Sequence, residues 1–161
     1  MGNKTLVYYS KVKDNLNQSY VHLKRLDDAL SQLNQKYSFP LDKKTYTEIL
    51  NNIYSLAFSD QVIYRFAKLQ DTMGAKLFKS LLLYQGENID KPFLDILNQL
   101  EKLDIVDVEE WFELRDLRNE IAHDYENNDY LAIDILNSIF EFKGELKNIL
   151  NSINILLDNK R

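Results

Sequence analysis

The residues best suited to chemistry lie together in one octapeptide, residues 118–125. It contains Arg118, His123 and Tyr125, and His123 is one of only two histidines in the chain. A guanidinium binds phosphate oxygens in a forked geometry, and an imidazole takes up or releases a proton near neutral pH. Arginine, histidine and tyrosine concentrated in this way favour phosphate chemistry.

Arg118 falls in the apolar sector of the helix that is predicted to carry it. At about 100° per residue it lies about 40° from Leu114, near the centre of that sector. A guanidinium placed there must be paired or must reach an edge of the fold, because an unpaired buried charge is costly. Two interpretations stay open. Arg118 forms a structural ion pair, for example with Asp60 or Asp71, or it binds a phosphate.

His123 follows Arg118 by five positions, which is roughly 140° around a continuous helix. The arginine and the histidine of one straight helix therefore do not face the same point. Either the helix distorts before Asn127, or a two-fold dimer brings two copies of the segment together. Tyr125, seven positions after Arg118, is expected almost beneath it. The octapeptide is then half of a site, and a second chain is the simplest way to complete it.

Other candidate side chains lie outside the octapeptide. Arg65 and Lys68 share a predicted helix with Lys76 and Asp71, which makes this helix the best candidate for a second wall of an anion-binding cleft. The alternative is an ordinary solvated face. His22 has no acidic or histidine partner at helical spacing and is interpreted as structural, since one histidine alone makes neither a metal site nor a catalytic triad.

Composition narrows the class of protein. A chain of 161 residues with 45% hydrophobic residues, 4 glycines and 2 prolines predicts one domain, residues 1–161, of long helices. The lack of cysteine excludes disulfides and thiolate catalysis. Without a signal peptide or an apolar run of membrane length, we expect a soluble, cytoplasmic protein with no membrane partner. The net charge of −5 argues against a general nucleic-acid binder but leaves room for a small basic site or a basic partner protein.

Hydrophobic periodicity predicts an all-α fold, an antiparallel four-helix bundle of long helices with a short extra helix. Asp42 and Asp107 are predicted helix N-caps, and Ser59-Asp60 marks an expected break or kink. Gly74 lies in mid-helix, where glycine costs up to about 1 kcal/mol, and a close approach of another helix would explain it. The predicted helices cover residues 4–34, 42–85 with the break, 90–104 as the short helix, 107–127, and 129 to nearly the end.

Arg118, four intervening residues, His123, one residue and Tyr125 form the pattern R-x4-H-x-Y. This pattern resembles the motif of the HEPN superfamily, most closely that of its HepT-like branch, toxins that are paired with a minimal nucleotidyltransferase. Asn119 fits as well, since a polar residue frequently follows the arginine in that family. The motif covers eight residues, but its setting is also similar over nearly the whole chain: a short all-α protein with one helix after the motif.

The resemblance implies a metal-independent endoribonuclease toxin that acts as a homodimer, with its site between two copies of the motif. His123 would activate a ribose 2′-hydroxyl or protonate the leaving 5′-oxygen, and Arg118 would hold the scissile phosphate. Asn119 would orient a neighbour or the phosphate. Attack by the 2′-hydroxyl leaves a 2′,3′-cyclic phosphate and requires no cofactor and no metal.

The resemblance also implies a protein partner. In the HepT-like branch a cognate nucleotidyltransferase antitoxin adds AMP to the motif tyrosine, which is Tyr125 here, and an added anion beside Arg118 would block a phosphate pocket. Arg65 and Lys68 would be additional phosphate contacts on the RNA. The alternative is a non-catalytic HEPN domain that serves as a substrate-binding or docking partner of a nucleotidyltransferase. A third interpretation is a helical structural or dimerisation module whose motif match is accidental.

Overall fold

Helices joined by short turns make up the fold. The computed structural model describes residues 2–159, and no strand occurs among them. The predicted all-α class is therefore confirmed. A π-helical turn, Met73–Leu77, joins α3 to α4, and a 3-10 turn, Tyr125–Asn127, lies between α6 and α7. The α-helices are α1 (Asn3–Lys36), α2 (Lys43–Leu50), α3 (Ile53–Thr72), α4 (Phe78–Tyr84), α5 (Phe93–Lys102), α6 (Val108–Ile121) and α7 (Asp129–Asn159).

Four segments form the bundle: α1, the continuous rod of α3, π-turn and α4, then α6 and α7. Two hydrogen bonds, one from within α1 and one at its C-terminal end, show its direction relative to the rod. Asn15 donates to Ser80 at 3.1 Å, and the hydroxyls of Tyr37 and Ser55 are 2.8 Å apart, so the two run antiparallel. Two short helices, α2 and α5, pack beside the bundle, whereas the sequence predicted only one short helix.

The break in the second predicted helix lies earlier than expected. α2 ends at Leu50, and the Asn52 side chain starts α3 by accepting a hydrogen bond from the Ser55 backbone N–H at 3.0 Å. The expected break at Ser59-Asp60 is wrong, since α3 runs through it. Ser59 is 2% exposed, so it packs inside the bundle instead of capping a helix end at the surface.

Gly74 allows α6 to approach the rod closely, as its position in mid-helix predicted. A Cβ at Gly74 would lie 3.3 Å from Cζ2 of Trp111 and 3.8 Å from Cζ of Phe93. Trp111 is almost fully buried and packs edge-on against Phe78, with 4.7 Å between ring centroids. Gly74 also belongs to the π-turn, and π-bulges within α-helices are frequent at functional sites.

The core lies between the four segments and continues under the loop after α1. Its largest side chains include Trp111, Phe66 and Phe78. The loop is fastened to α7 by Asn137, whose amide accepts from the Leu41 backbone N–H at 2.7 Å and donates to the Leu41 carbonyl at 3.0 Å. Within residues 2–159, no helix is both long and apolar enough to cross a membrane.

Candidate functional site

The helix that carries the motif ends inside it. Sequence periodicity predicted a helix to Asn127, but α6 ends at Ile121. The His123 backbone N–H donates to the Glu120 carbonyl at 3.0 Å, and the Tyr125 backbone N–H donates to the His123 carbonyl at 2.8 Å. These shorter-range bonds replace the α-helical pattern and turn the chain. Of the two ways to reconcile the motif residues, distortion of the helix is therefore the one present in the chain.

Arg118 forms an ion pair with Asp71 of α3. Its Nε lies 2.9 Å from Oδ1 and its Nη2 lies 3.1 Å from Oδ2, so two parallel hydrogen bonds join the side chains. The ion-pair interpretation is therefore confirmed, with Asp71 rather than Asp60 as the partner. The side chains are 28% and 49% exposed, so the pair lies at the edge of the bundle. A guanidinium binds phosphate through the same forked geometry, so Asp71 occupies donors that a phosphate would use.

His123 lies two residues beyond the end of α6 and is exposed to solvent. Among the described residues, no hydrogen bond joins its imidazole to Arg118 or to any other side chain. Asn119 is also exposed, on the last turn of α6. The structure thus places the motif's imidazole at the surface, five residues after the arginine, but it does not bring the two groups into contact.

Tyr125 begins the 3-10 turn and packs, half-buried, against the core. Because α6 has already ended, the expectation that it lies beneath Arg118 on one helix is wrong. Burial raises the pKa of the Tyr125 hydroxyl, and the carboxylates of Asp60 and Glu126 raise it further. Burial, helped by neighbouring carboxylates, also raises the pKa of Tyr46 to about 12. Tyr125 therefore belongs to an acidic corner of the bundle.

The proposed second wall contains a partly buried contact between α1 and α3. Arg65 Nη1 lies 3.0 Å from His22 Nδ1. Since a guanidinium only donates, Nδ1 must accept, which makes His22 a neutral imidazole with a cross-helix partner. Burial lowers the pKa of His22, and Arg65, Lys68, Arg25 and Lys76 lower it further. The Arg65 Nε is buried without a hydrogen-bond partner.

Lys68 borders a groove of about 390 Å³ between α1 and α3. The Lys68 ammonium and the Arg65 guanidinium both lie against the Tyr64 ring, at 5.6 Å and 5.2 Å from its centroid. Asp71 borders the same groove and pairs with Arg118. The Asp71 carboxylate therefore links Arg118 to the groove that Lys68 borders.

Sequence analysis missed a cavity beside this carboxylate. It has a volume of about 320 Å³ and is bordered by Gln70, Asp71, Trp111 and Arg115, among others. Gly74 also borders it, and this glycine was the one signal in the sequence that marked the place. The residues around the cavity come from α3, the π-turn, α4, α5 and α6, so no local pattern could have grouped them.

No three histidine, cysteine, aspartate or glutamate side chains are grouped so as to hold a metal ion in the part of the chain that the structure describes. Comparison of the chain with models of protein families, with curated proteins and with solved structures gave no match. The side chains that could act chemically are the exposed His123 imidazole, the surface Arg118 held by one carboxylate, and the basic residues Arg65 and Lys68.

Proposed function

We propose that this protein is a HEPN-like, metal-independent endoribonuclease toxin that acts as a homodimer. The observation that carries the proposal is the pair of motif groups at the end of α6. Arg118 holds a carboxylate at the surface through two parallel bonds, and His123 stands exposed just beyond the same helix. An oxyanion receptor and a free imidazole are what cleavage of a phosphodiester requires.

The reaction needs one base, one acid and a stabilised phosphorane. His123 accepts the proton of the ribose 2′-hydroxyl as O2′ attacks phosphorus. The P–O5′ bond breaks, and the leaving 5′-oxygen takes a proton, so the products are a 2′,3′-cyclic phosphate and a 5′-hydroxyl. Two copies of the motif in one dimer cleft supply two imidazoles, one to accept and one to donate. Arg118 holds the phosphate, and Asn119 on the same turn orients it.

Phosphate binding requires an exchange of partners at Arg118. In the isolated chain Asp71 satisfies Nε and Nη2, so the substrate phosphate must displace the carboxylate or share the guanidinium with it. The pair is partly solvated, and such pairs contribute only about 0.2–1 kcal/mol. This cost is small enough for a bound phosphate to offset. Lys68, which borders the groove beside Asp71, and Arg65 provide further positive charge.

The proposed partner is a cognate minimal nucleotidyltransferase that acts as the antitoxin by adding AMP to Tyr125. The support is the match to the motif tyrosine and its position four residues beyond the end of α6. Its half-buried ring means that the enzyme must loosen the 3-10 turn to reach the hydroxyl. A bulky anion at this turn would alter the setting of His123, two residues earlier, and would repel RNA.

A non-catalytic docking role is the second candidate. It is favoured by the Asp71–Arg118 pair itself, which neutralises the motif arginine, and by the net charge of −5. In this role the chain would present its surface to the nucleotidyltransferase without cutting RNA.

The deciding experiment compares wild type, His123→Ala and Gln35→Ala on RNA in the presence of a chelator. Gln35 is an exposed residue of α1, so Gln35→Ala controls for the effect of replacing any exposed side chain by alanine. We expect cleavage by wild type and Gln35→Ala, with cyclic phosphate ends, and at least a hundredfold slower cleavage by His123→Ala. Cleavage that survives His123→Ala, or that requires added metal, would overturn the mechanism. No cleavage by any of the three would favour the docking role.

A further inference from the structure

The cavity beside Asp71 contains polar groups that the protein itself leaves unsatisfied. Trp111 is 1% exposed, and its buried Nε1 has no hydrogen-bond partner. Gln70 is 6% exposed, and its amide makes no hydrogen bond within residues 2–159. A buried polar group without a partner costs about 1–3 kcal/mol, which makes the Trp111 Nε1 a candidate for a bond to a ligand. The Gln70 amide is free to bond the same ligand. The two groups come from different helices and border one cavity.

The remaining walls suit a flat ring that carries negative charge. Phe93 borders the cavity together with Trp111, so two aromatic side chains face the same space. The Arg115 guanidinium lies 5.4 Å from the Phe93 ring centroid, and Lys79 adds a second cation to the lining. Aromatic rings combined with cations are the usual receptors for bases and backbone of single-stranded nucleic acid.

The size of the cavity limits the ligand. Its volume of about 320 Å³ is at the lower end of the range for small-molecule sites, roughly 300–1,000 Å³. A single nucleobase is a more suitable occupant than a larger group. Gly74 lets Trp111 pack closely at the cavity wall, because a Cβ there would lie 3.3 Å from Cζ2 of Trp111.

We propose that this cavity binds the base of a single-stranded RNA nucleotide. The Gln70 amide and the Trp111 indole N–H hydrogen-bond the base, and Arg115 and Lys79 contact the adjacent phosphate. The choice of RNA rests on the proposed function. Asp71 connects the cavity to Arg118, since it borders the cavity and pairs with that arginine. The base pocket therefore lies next to the arginine that is proposed to hold the scissile phosphate.

Trp111 gives a direct measurement, because it is the one tryptophan in the chain. The full chain is titrated with each of the four ribonucleoside 5′-monophosphates to about 5 mM, a range that detects the millimolar affinity of a small site. Free tryptophan amide corrects for absorption by the nucleotide. We expect a saturable change in Trp111 emission with at least one nucleotide and none with inorganic phosphate. No saturable change with any nucleotide, or an equal change with phosphate, would overturn the proposal.

A matched pair of variants tests the hydrogen bond. Gln70→Leu removes the amide and keeps the size of the side chain, and Gln61→Leu makes the same change on α3, away from this cavity. We expect Gln70→Leu to weaken nucleotide binding about three- to tenfold, the effect of one neutral hydrogen bond, and Gln61→Leu to leave it unchanged. Equal weakening by both variants would refute the assignment.

Binding and cleavage separate this inference from the proposed function. Nucleotide binding without RNA cleavage would support the base pocket and count against the nuclease. RNA cleavage without a response of Trp111 emission to nucleotides would support the nuclease and count against the base pocket.

Discussion

Asp71→Asn tests whether the carboxylate competes with phosphate for Arg118. The substitution removes the charge and keeps the size of the side chain. With side chains 28% and 49% exposed, the pair contributes only about 0.2–1 kcal/mol to the free energy of unfolding. We expect Tm to fall by at most about 4 °C in a chain of this length.

The same substitution removes the negative charge and one of the two acceptor oxygens that Asp71 offers to Arg118, so a phosphate competes more easily for its forked donors. The free energy that the pair contributed then no longer opposes RNA binding, so the dissociation constant should fall by about 1.4- to fivefold. Arg118→Ala should have the opposite effect and weaken binding about tenfold or more, because it deletes charge-assisted hydrogen bonds to the phosphate. The two changes at one ion pair are therefore expected to move affinity in opposite directions.

Fluorescence anisotropy with a labelled single-stranded RNA measures both effects, at one fixed salt concentration because phosphate binding depends strongly on salt. Asp28→Asn is the matched control. Asp28 forms an exposed ion pair with Lys24 at 2.9 Å, and its substitution changes the net charge equally. An equal increase in RNA affinity in both variants would show that the effect comes from the change in net charge. Weaker binding by Asp71→Asn would show that the carboxylate positions Arg118, which would refute the competition.

Other predictions concern His22, Tyr125 and the dimer. Burial and the surrounding cations lower the pKa of His22, so the unfolded chain takes up a proton that the folded chain refuses as the pH falls through about 6.5. Between about pH 7.5 and about pH 5.5, the free energy of unfolding of wild type should therefore fall more than that of His22→Leu, as measured by thermal unfolding. Equal falls would refute this. Coexpression with the nucleotidyltransferase should add AMP to wild type and none to Tyr125→Phe by mass spectrometry. Light scattering at micromolar concentration should give a dimer, and a monomer would contradict the proposed cleft.

Local signals predicted the parts of the fold that depend on local chemistry. Asp42 and Asp107 were predicted N-caps, and each accepts a backbone hydrogen bond, from Thr45 at 2.8 Å and from Glu110 at 3.0 Å. The break at Asn52 was missed because a second capping sequence, Ser59-Asp60, stood nearby. Only tertiary packing distinguishes the two, since it buries Ser59 within α3.

The end of α6 could not be predicted in this way. No glycine or proline stands between Arg118 and Asn128, so the sequence gives no stop signal before the paired asparagines. The helix ends six residues earlier, and Tyr125 packs against the core from a 3-10 turn rather than from a helix. The position of every motif residue after Ile121 changes with that one boundary.

The cavity beside Asp71 lies at the limit of sequence-based reasoning. Gln70, Phe93 and Trp111 are far apart in sequence, and each fits an ordinary apolar helical face in isolation. The unpartnered indole N–H of Trp111 is recognised only when α5 and α6 are packed against the rod. Gly74 was correctly interpreted as a point of close approach, but the sequence did not indicate the space beside it.

The end of α6 also changes the argument for a dimer. On a continuous helix, His123 would point about 140° away from Arg118, and a second chain was the simplest way to bring both groups to one phosphate. Because α6 ends at Ile121, that angle no longer applies, and helical geometry by itself does not require a partner. The case for two copies now depends on the chemistry. Cleavage needs both a base and an acid, each copy offers one exposed motif imidazole, and His22 is engaged by Arg65 inside the bundle.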